Sequence, residues 1–118
     1  MKHKITLEHS KLEVFATINN TVLASTTSPI LMKEVGGLGY DPVFYFPIED
    51  VKREFFTHSN TRSNCYLKGE AIYWSLELGK LKLPDVAWEY VHPAPGMEKI
   101  SRHIAFYSNH VKVEAIHT

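Results

Sequence analysis

At 118 residues, with 44% hydrophobic and 22% charged residues, the chain has the make-up of an ordinary globular domain, which argues against both a disordered polymer and a membrane-embedded protein. Thirteen Lys and Arg balance thirteen Asp and Glu, so no net field draws the molecule to nucleic acid or to an acidic membrane surface. One cysteine excludes an internal disulfide and any structural zinc site built on several thiolates.

The length predicts a single domain over 1–118 that buries roughly two thirds of the surface its unfolded chain exposes. The opening Met1 to Glu8 is charged and alternating, without the apolar core of a signal peptide. No apolar run approaches the ~20 residues that span a bilayer. With the lone thiol, this reads as a cytoplasmic protein without a membrane partner. The seven histidines, His3, His9, His58, His92, His103, His110 and His117, form neither an i,i+4 pair nor a His-x-His, so neither metal nor cofactor is expected.

Leu12 to Ile18 alternates, Asn19-Asn20 tolerates left-handed backbone, and Thr21 to Thr26 alternates again, which predicts a hairpin. Ser28-Pro29 ends it, and Ile30 to Val35 is a third strand. Gly36 to Gly39 then reads as a plain mobile loop rather than a phosphate cradle, because Tyr40-Asp41-Pro42 follows instead of the Gly-Lys and hydroxyl residue of a phosphate loop. Val43 to Phe46 suits a buried strand. Pro47 suits the first position of a short helix over 48–53, with Ile48, Val51 and Phe55 on one side. Polar Thr57 to Asn64 reads as loop.

From Glu70 to Leu78, alternation places Ile72, Trp74, Leu76 and Leu78 on one face and Ala71, Tyr73, Ser75 and Glu77 on the other. Gly79-Lys80 turns the chain into Leu81 to Leu83. After Pro84, the run Asp85 to Val91 puts Val86, Trp88 and Tyr90 on one side. His92 to Gly96 breaks the sheet, Met97, Ile100 and Ile104 have the spacing of a second short helix, and Ile104 to Tyr107 with Val111 to Ile116 reads as a final strand pair. The total, about eight short strands and two short helices, predicts a mainly β fold: with no long amphipathic helix to cover it, the sheet pairs with another as a sandwich or closes as a barrel.

Two chemistries compete for the segment Cys65 to Trp74. An ammonium near a thiol favours the thiolate, so Cys65 with Lys68 is a candidate nucleophile pair, needing His58, His92 or His103 as base from elsewhere in the fold. Buried single cysteines also act as small hydrophobes. The aromatic residues point elsewhere: Tyr45, Tyr73, Trp74, Trp88, Tyr90 and Tyr107 are spread over several strands, and several of them can converge on one apolar cleft, with Lys68 to orient a ligand. They equally suit a plain core. A third alternative is an interaction module presenting an edge strand or aromatic patch to a partner protein. A single-stranded nucleic-acid platform would need a basic groove that the balanced charge does not favour.

Four ordered segments carry a resemblance. They are Pro42-Val43-Phe44-Tyr45-Phe46-Pro47 continuing to Asp50-Val51, then Cys65-x-x-Lys68-Gly69-x-Ala71-x-Tyr73, then Ala87-Trp88-x-Tyr90-x-x-Pro93, and last Ala105-Phe106-Tyr107 before Val111. Through them the chain resembles the bacterial domain-of-unknown-function 427 family. That resemblance implies a compact β fold similar to the β-tent group, two sheets leaning together, here without that group's zinc cysteines, and it implies no established reaction. The family's occasional nucleotidyltransferase-like label would require a Gly-Ser turn and paired metal-binding aspartates, and the sequence has neither. Family members often have His, Cys, Pro where Asn64, Cys65 and Tyr66 stand, and a basic residue in place of Ile48.

The leading expectation is a small β domain binding a small aromatic or anionic ligand in a cleft lined by Tyr45, Lys68, Tyr73, Trp88, Tyr90 and Tyr107. Tyr73 faces that cleft and Trp74 the opposite layer. The alternative is an enzyme with Cys65 as nucleophile and Lys68 in support.

Overall fold

The structure, a computed structural model, describes residues 3–36 and 41–117. The expectation for the glycine-rich loop therefore lies, beyond Gly36, outside the described residues. Among the described residues, ten strands form two antiparallel sheets: β1 (Lys4–His9), β2 (Glu13–Ile18), β3 (Thr21–Thr26), β4 (Ile30–Val35), β5 (Val43–Pro47), β6 (Phe56–Cys65), β7 (Gly69–Leu78), β8 (Leu81–Pro93), β9 (His103–Phe106) and β10 (Lys112–Ile116). The larger sheet runs β1-β4-β5-β9-β8-β7-β6 and the smaller β10-β2-β3.

The β2–β3 hairpin forms where alternation places it, with Asn19 and Asn20 both at positive φ (48° and 65°). That twist suits a two-residue turn between right-twisted strands. Val14, Ala16 and Ile18 of β2 point inward with Leu23 and Ala24 of β3, and meet Phe46, Trp74, Leu76, Ile104 and Phe106 of the large sheet. This is the core between the sheets. The opposite face of the large sheet carries a second apolar cluster, Ile30, Met32, Tyr45, Ala71, Tyr90, Ile100 and Ala105. Strands buried on both faces need apolar residues at both parities, which is why β5 reads as an unbroken aromatic run.

Several sequence expectations are corrected. The helix over 48–53 is replaced by two single 3₁₀ turns, Ile48–Asp50 and Arg53–Phe55. A six-residue run gains little from helix formation by itself, and Val51 is drawn into extended backbone by a bridge to Ala24. Ile48, Val51 and Phe55 pack on the core nonetheless. The loop over 57–64 is strand β6: its residues are polar because it is the exposed edge of the sheet, held by backbone pairing to β7 rather than by side-chain burial. Residues 4–9, unassigned from sequence, form the opposite edge, β1.

The segments on either side of Pro84 are one strand. A register shift against β7 and a left-handed Asp85 (φ 51°) absorb the proline within a bulge. Beyond that irregularity Trp88 and Tyr90 share a side while Val86 packs with Ala87 into the inter-sheet core. The helix expected from Met97 to Ile104 shrinks to one 3₁₀ turn, Glu98–Ile100, because Arg102 (φ 59°) reverses the chain into β9. The last two strands do not pair with each other: β9 inserts between β5 and β8, and β10 crosses to β2. Among the described residues no helix is long and apolar enough to cross a membrane.

Candidate functional site

The face of the large sheet away from the small one holds a cavity of about 400 Å³. Period-two alternation aims side chains into it from four strands. Tyr45 comes from β5 while Phe44 and Phe46 turn to the core, Tyr73 comes from β7 while Trp74 turns away, and Trp88 and Tyr90 come from β8. Tyr107 closes one side just past β9. Lys68, in the turn between β6 and β7, completes the residues expected from sequence, and Met32, Glu34, Asp41 and Val43 complete the lining.

The rings are fixed by one another. Trp88 Nε1 donates to the Tyr45 hydroxyl at 3.0 Å, and the two rings meet edge to face with centroids 6.2 Å apart. Tyr107 lies against Trp88 with ring centroids 4.5 Å apart. The Tyr73 hydroxyl shares a hydrogen bond with Ser63 on β6 at 2.8 Å. Trp74, on the opposite face, donates through Nε1 to the buried Glu89 carboxylate at 3.3 Å and stacks with His58.

Lys68 does not present a bare charge. Its ammonium pairs with Glu34 Oε1 at 2.5 Å, and the other Glu34 oxygen meets His3 Nε2 at 2.9 Å. Burial by itself would raise the Glu34 carboxyl. The bonds from Lys68 and His3 outweigh it and hold the group below its usual range. Glu34 was missed from sequence, although the signal was there: on β4 it shares parity with Ile30 and Met32, a carboxylate in register with two buried apolar residues.

The tyrosines titrate upward. Burial chiefly, then neighbouring Tyr90, raises Tyr45, and burial followed by Cys65 and Tyr73 raises Tyr90. Tyr107 is pushed up to about 12 by burial, with the neighbouring Tyr73 hydroxyl and the Asp85 carboxylate adding to the effect. All three are neutral phenols at physiological pH.

The turn that delivers Lys68 depends on Gly69. Its φ is +117°, and a Cβ there would fall 2.2 Å from the carbonyl oxygen of His92, so only glycine lets the end of β8 lie this close. The Ala94 N–H in turn donates to the Lys68 carbonyl at 2.9 Å.

Cys65 sits half-buried at the end of β6, opposite Gly69 and outside the cavity lining. The three histidines considered as its base are engaged elsewhere: His58 with Trp74, His92 with Glu70 at 2.7 Å, and His103 with the Ser101 carbonyl at 2.8 Å. Among the described residues no group of three or more His, Cys, Asp or Glu is gathered to hold a metal ion.

A family model described as "Domain of unknown function (DUF427)" matches residues 6–117, nearly the whole chain. The chain belongs to the DUF427 family. No curated protein matches it. In this DUF427 domain the four segments that carried the resemblance lie on β5, on the β6–β7 turn with β7, on β8, and on β9 with its following residue. Each contributes at least one side chain to the cavity: Tyr45, Lys68 and Tyr73, Trp88 and Tyr90, and Tyr107.

Proposed function

We propose that this domain binds a small organic molecule with a flat, unsaturated face in the aromatic cavity, as a ligand-binding module of a reducing, cytoplasmic compartment. The observation that carries this reading is the convergence of five rings, from Tyr45, Tyr73, Trp88, Tyr90 and Tyr107, on one concavity of about 400 Å³ with an ion pair at its side. That volume lies within the range of small-molecule sites, roughly 300–1,000 Å³, which are mostly apolar with a few polar groups to fix orientation. Of the aromatic and anionic ligands expected from sequence, the aromatic is the one supported. An anion would need Lys68, whose charge is already met by Glu34.

The test is native mass spectrometry of freshly purified protein for a retained small molecule, followed by the Trp88→Leu variant. Trp88 touches both Tyr45 and Tyr107, so its loss should abolish retention while leaving the inter-sheet core untouched. A small molecule retained equally by a folded Trp88→Leu protein would place binding elsewhere and reject the reading.

A further inference from the structure

We propose that the ligand of this cavity is a small organic cation, an alkylated ammonium or a cationic ring nitrogen, held over the tyrosine and tryptophan faces beside the carboxylates of Glu34 and Asp41. The inference rests on the binding reading above and adds the sign of the ligand's charge.

The charged groups of the lining are Glu34, Asp41 and Lys68, so carboxylates exceed ammonium groups by one. Lys68 and Glu34 neutralise each other at 2.5 Å. Asp41 stands exposed at the rim, and among the described residues it takes part in no ion pair. The remaining electrostatics come from the rings. Each aromatic face carries the negative lobe of a quadrupole, so a ring that turns its face to the cavity attracts a cation and repels an anion.

Tyr90 supplies an independent pointer. It lines the cavity, and its hydroxyl makes no hydrogen bond among the described residues yet is not sealed from the cavity space. A phenol oxygen open to the cavity is a polar contact that a bound ligand can meet. Its oxygen lone pairs can accept from an N–H, and burial first, then Cys65, Tyr73, Glu34 and Tyr107, weakens its acidity, so it stays a neutral phenol.

One ring system carried in three charge states tests this. N-methylquinolinium, quinoline at mildly alkaline pH and quinoline carboxylate share a bicycle small enough for the cavity, and isothermal titration calorimetry ranks them. The cation should bind about three- to thirty-fold tighter than the neutral ring, the span of a cation–π contribution, with the carboxylate weakest. Asp41→Asn, at an exposed position, should narrow the gap between cation and neutral ring. Glu34→Gln, which removes one carboxylate from the lining, should narrow the gap between the cation and the carboxylate. Equal binding of cation and neutral ring, or tightest binding of the carboxylate by the unaltered protein, overturns the inference and leaves the aromatic-ligand reading standing. Failure of all three probes to bind overturns both.

Discussion

Replacing Gly69 by alanine would force apart the two segments that frame the Lys68 side of the cavity. The new Cβ falls 2.2 Å from the His92 carbonyl oxygen and 2.8 Å from both the Ala94 nitrogen and the Pro93 Cα, all of them backbone atoms that no rotamer change can move. Real contacts of this kind essentially never fall under 3.0 Å, so the end of β8 must retreat by close to an ångström. Holding an L-residue at φ +117° costs about 1–2 kcal/mol. Losing the Ala94 N–H bond to the Lys68 carbonyl costs about 1 kcal/mol, and the disturbed packing about 1–2 kcal/mol more. The sum, about 3–5 kcal/mol, is at the upper end for a point mutation. Urea denaturation followed by fluorescence should show the midpoint falling by roughly 2 M, taking a slope of about 2 kcal/mol per M. Gly79→Ala is the control: φ there is +60° with nothing within 4 Å, so it carries the backbone cost of about 1 kcal/mol alone. If the two substitutions cost the same, close approach is not the reason for glycine at position 69.

Glu34, with its carboxyl held below the usual 4.5, contributes stability that is fully present above that pH and is lost as pH falls through its folded value; melting temperatures taken across this range should therefore show the gap between the unaltered protein and Glu34→Gln shrinking on acidification, and a constant gap would reject the ion-pair account. The tyrosines give the opposite limb. With Tyr107 raised to about 12 and Tyr45 and Tyr90 also raised from the ordinary 10.0, the fold favours their neutral forms, so stability is full below pH 10 and declines above it. Phenolate absorbance should show these three still protonated in the folded protein at pH near 11, and full titration of every tyrosine near 10 with the fold intact would contradict their burial.

The sequence revealed side-chain parity better than strand partners. Alternation in β7 separated Tyr73 from Trp74 correctly, because a regular strand must send neighbours to opposite faces, and the two residues now belong to different apolar clusters. The aromatic side of the cavity was legible for the same reason. Strand β6 was not, since an edge strand held by backbone hydrogen bonds leaves no apolar period in its side chains. The separation of β9 from β10 was also hidden: a short polar connection reads as a hairpin, and only the three-dimensional requirement to fill the gap between β5 and β8 sends the strands to different sheets. The inward parity of Glu34 on β4 was legible, but its pairing with Lys68 from a distant turn was not, because pairing across the fold is not a local property.

Strand order also dictates when the molecule can close during synthesis. Strands β6 to β8 follow one another in the chain and lie side by side in the sheet, so they can assemble as they leave the ribosome, in the manner of local, low-contact-order structure. The small sheet cannot be completed in this way. Its third member is β10, which must travel back to β2, and Val111, fully buried immediately before β10, plugs the core between the sheets. Until Ile116 has emerged, the nascent chain carries a hairpin whose β2 edge is unpaired and a core not yet closed by Val111 and Val113, a state suited to chaperone capture and to pairing with a neighbouring nascent chain.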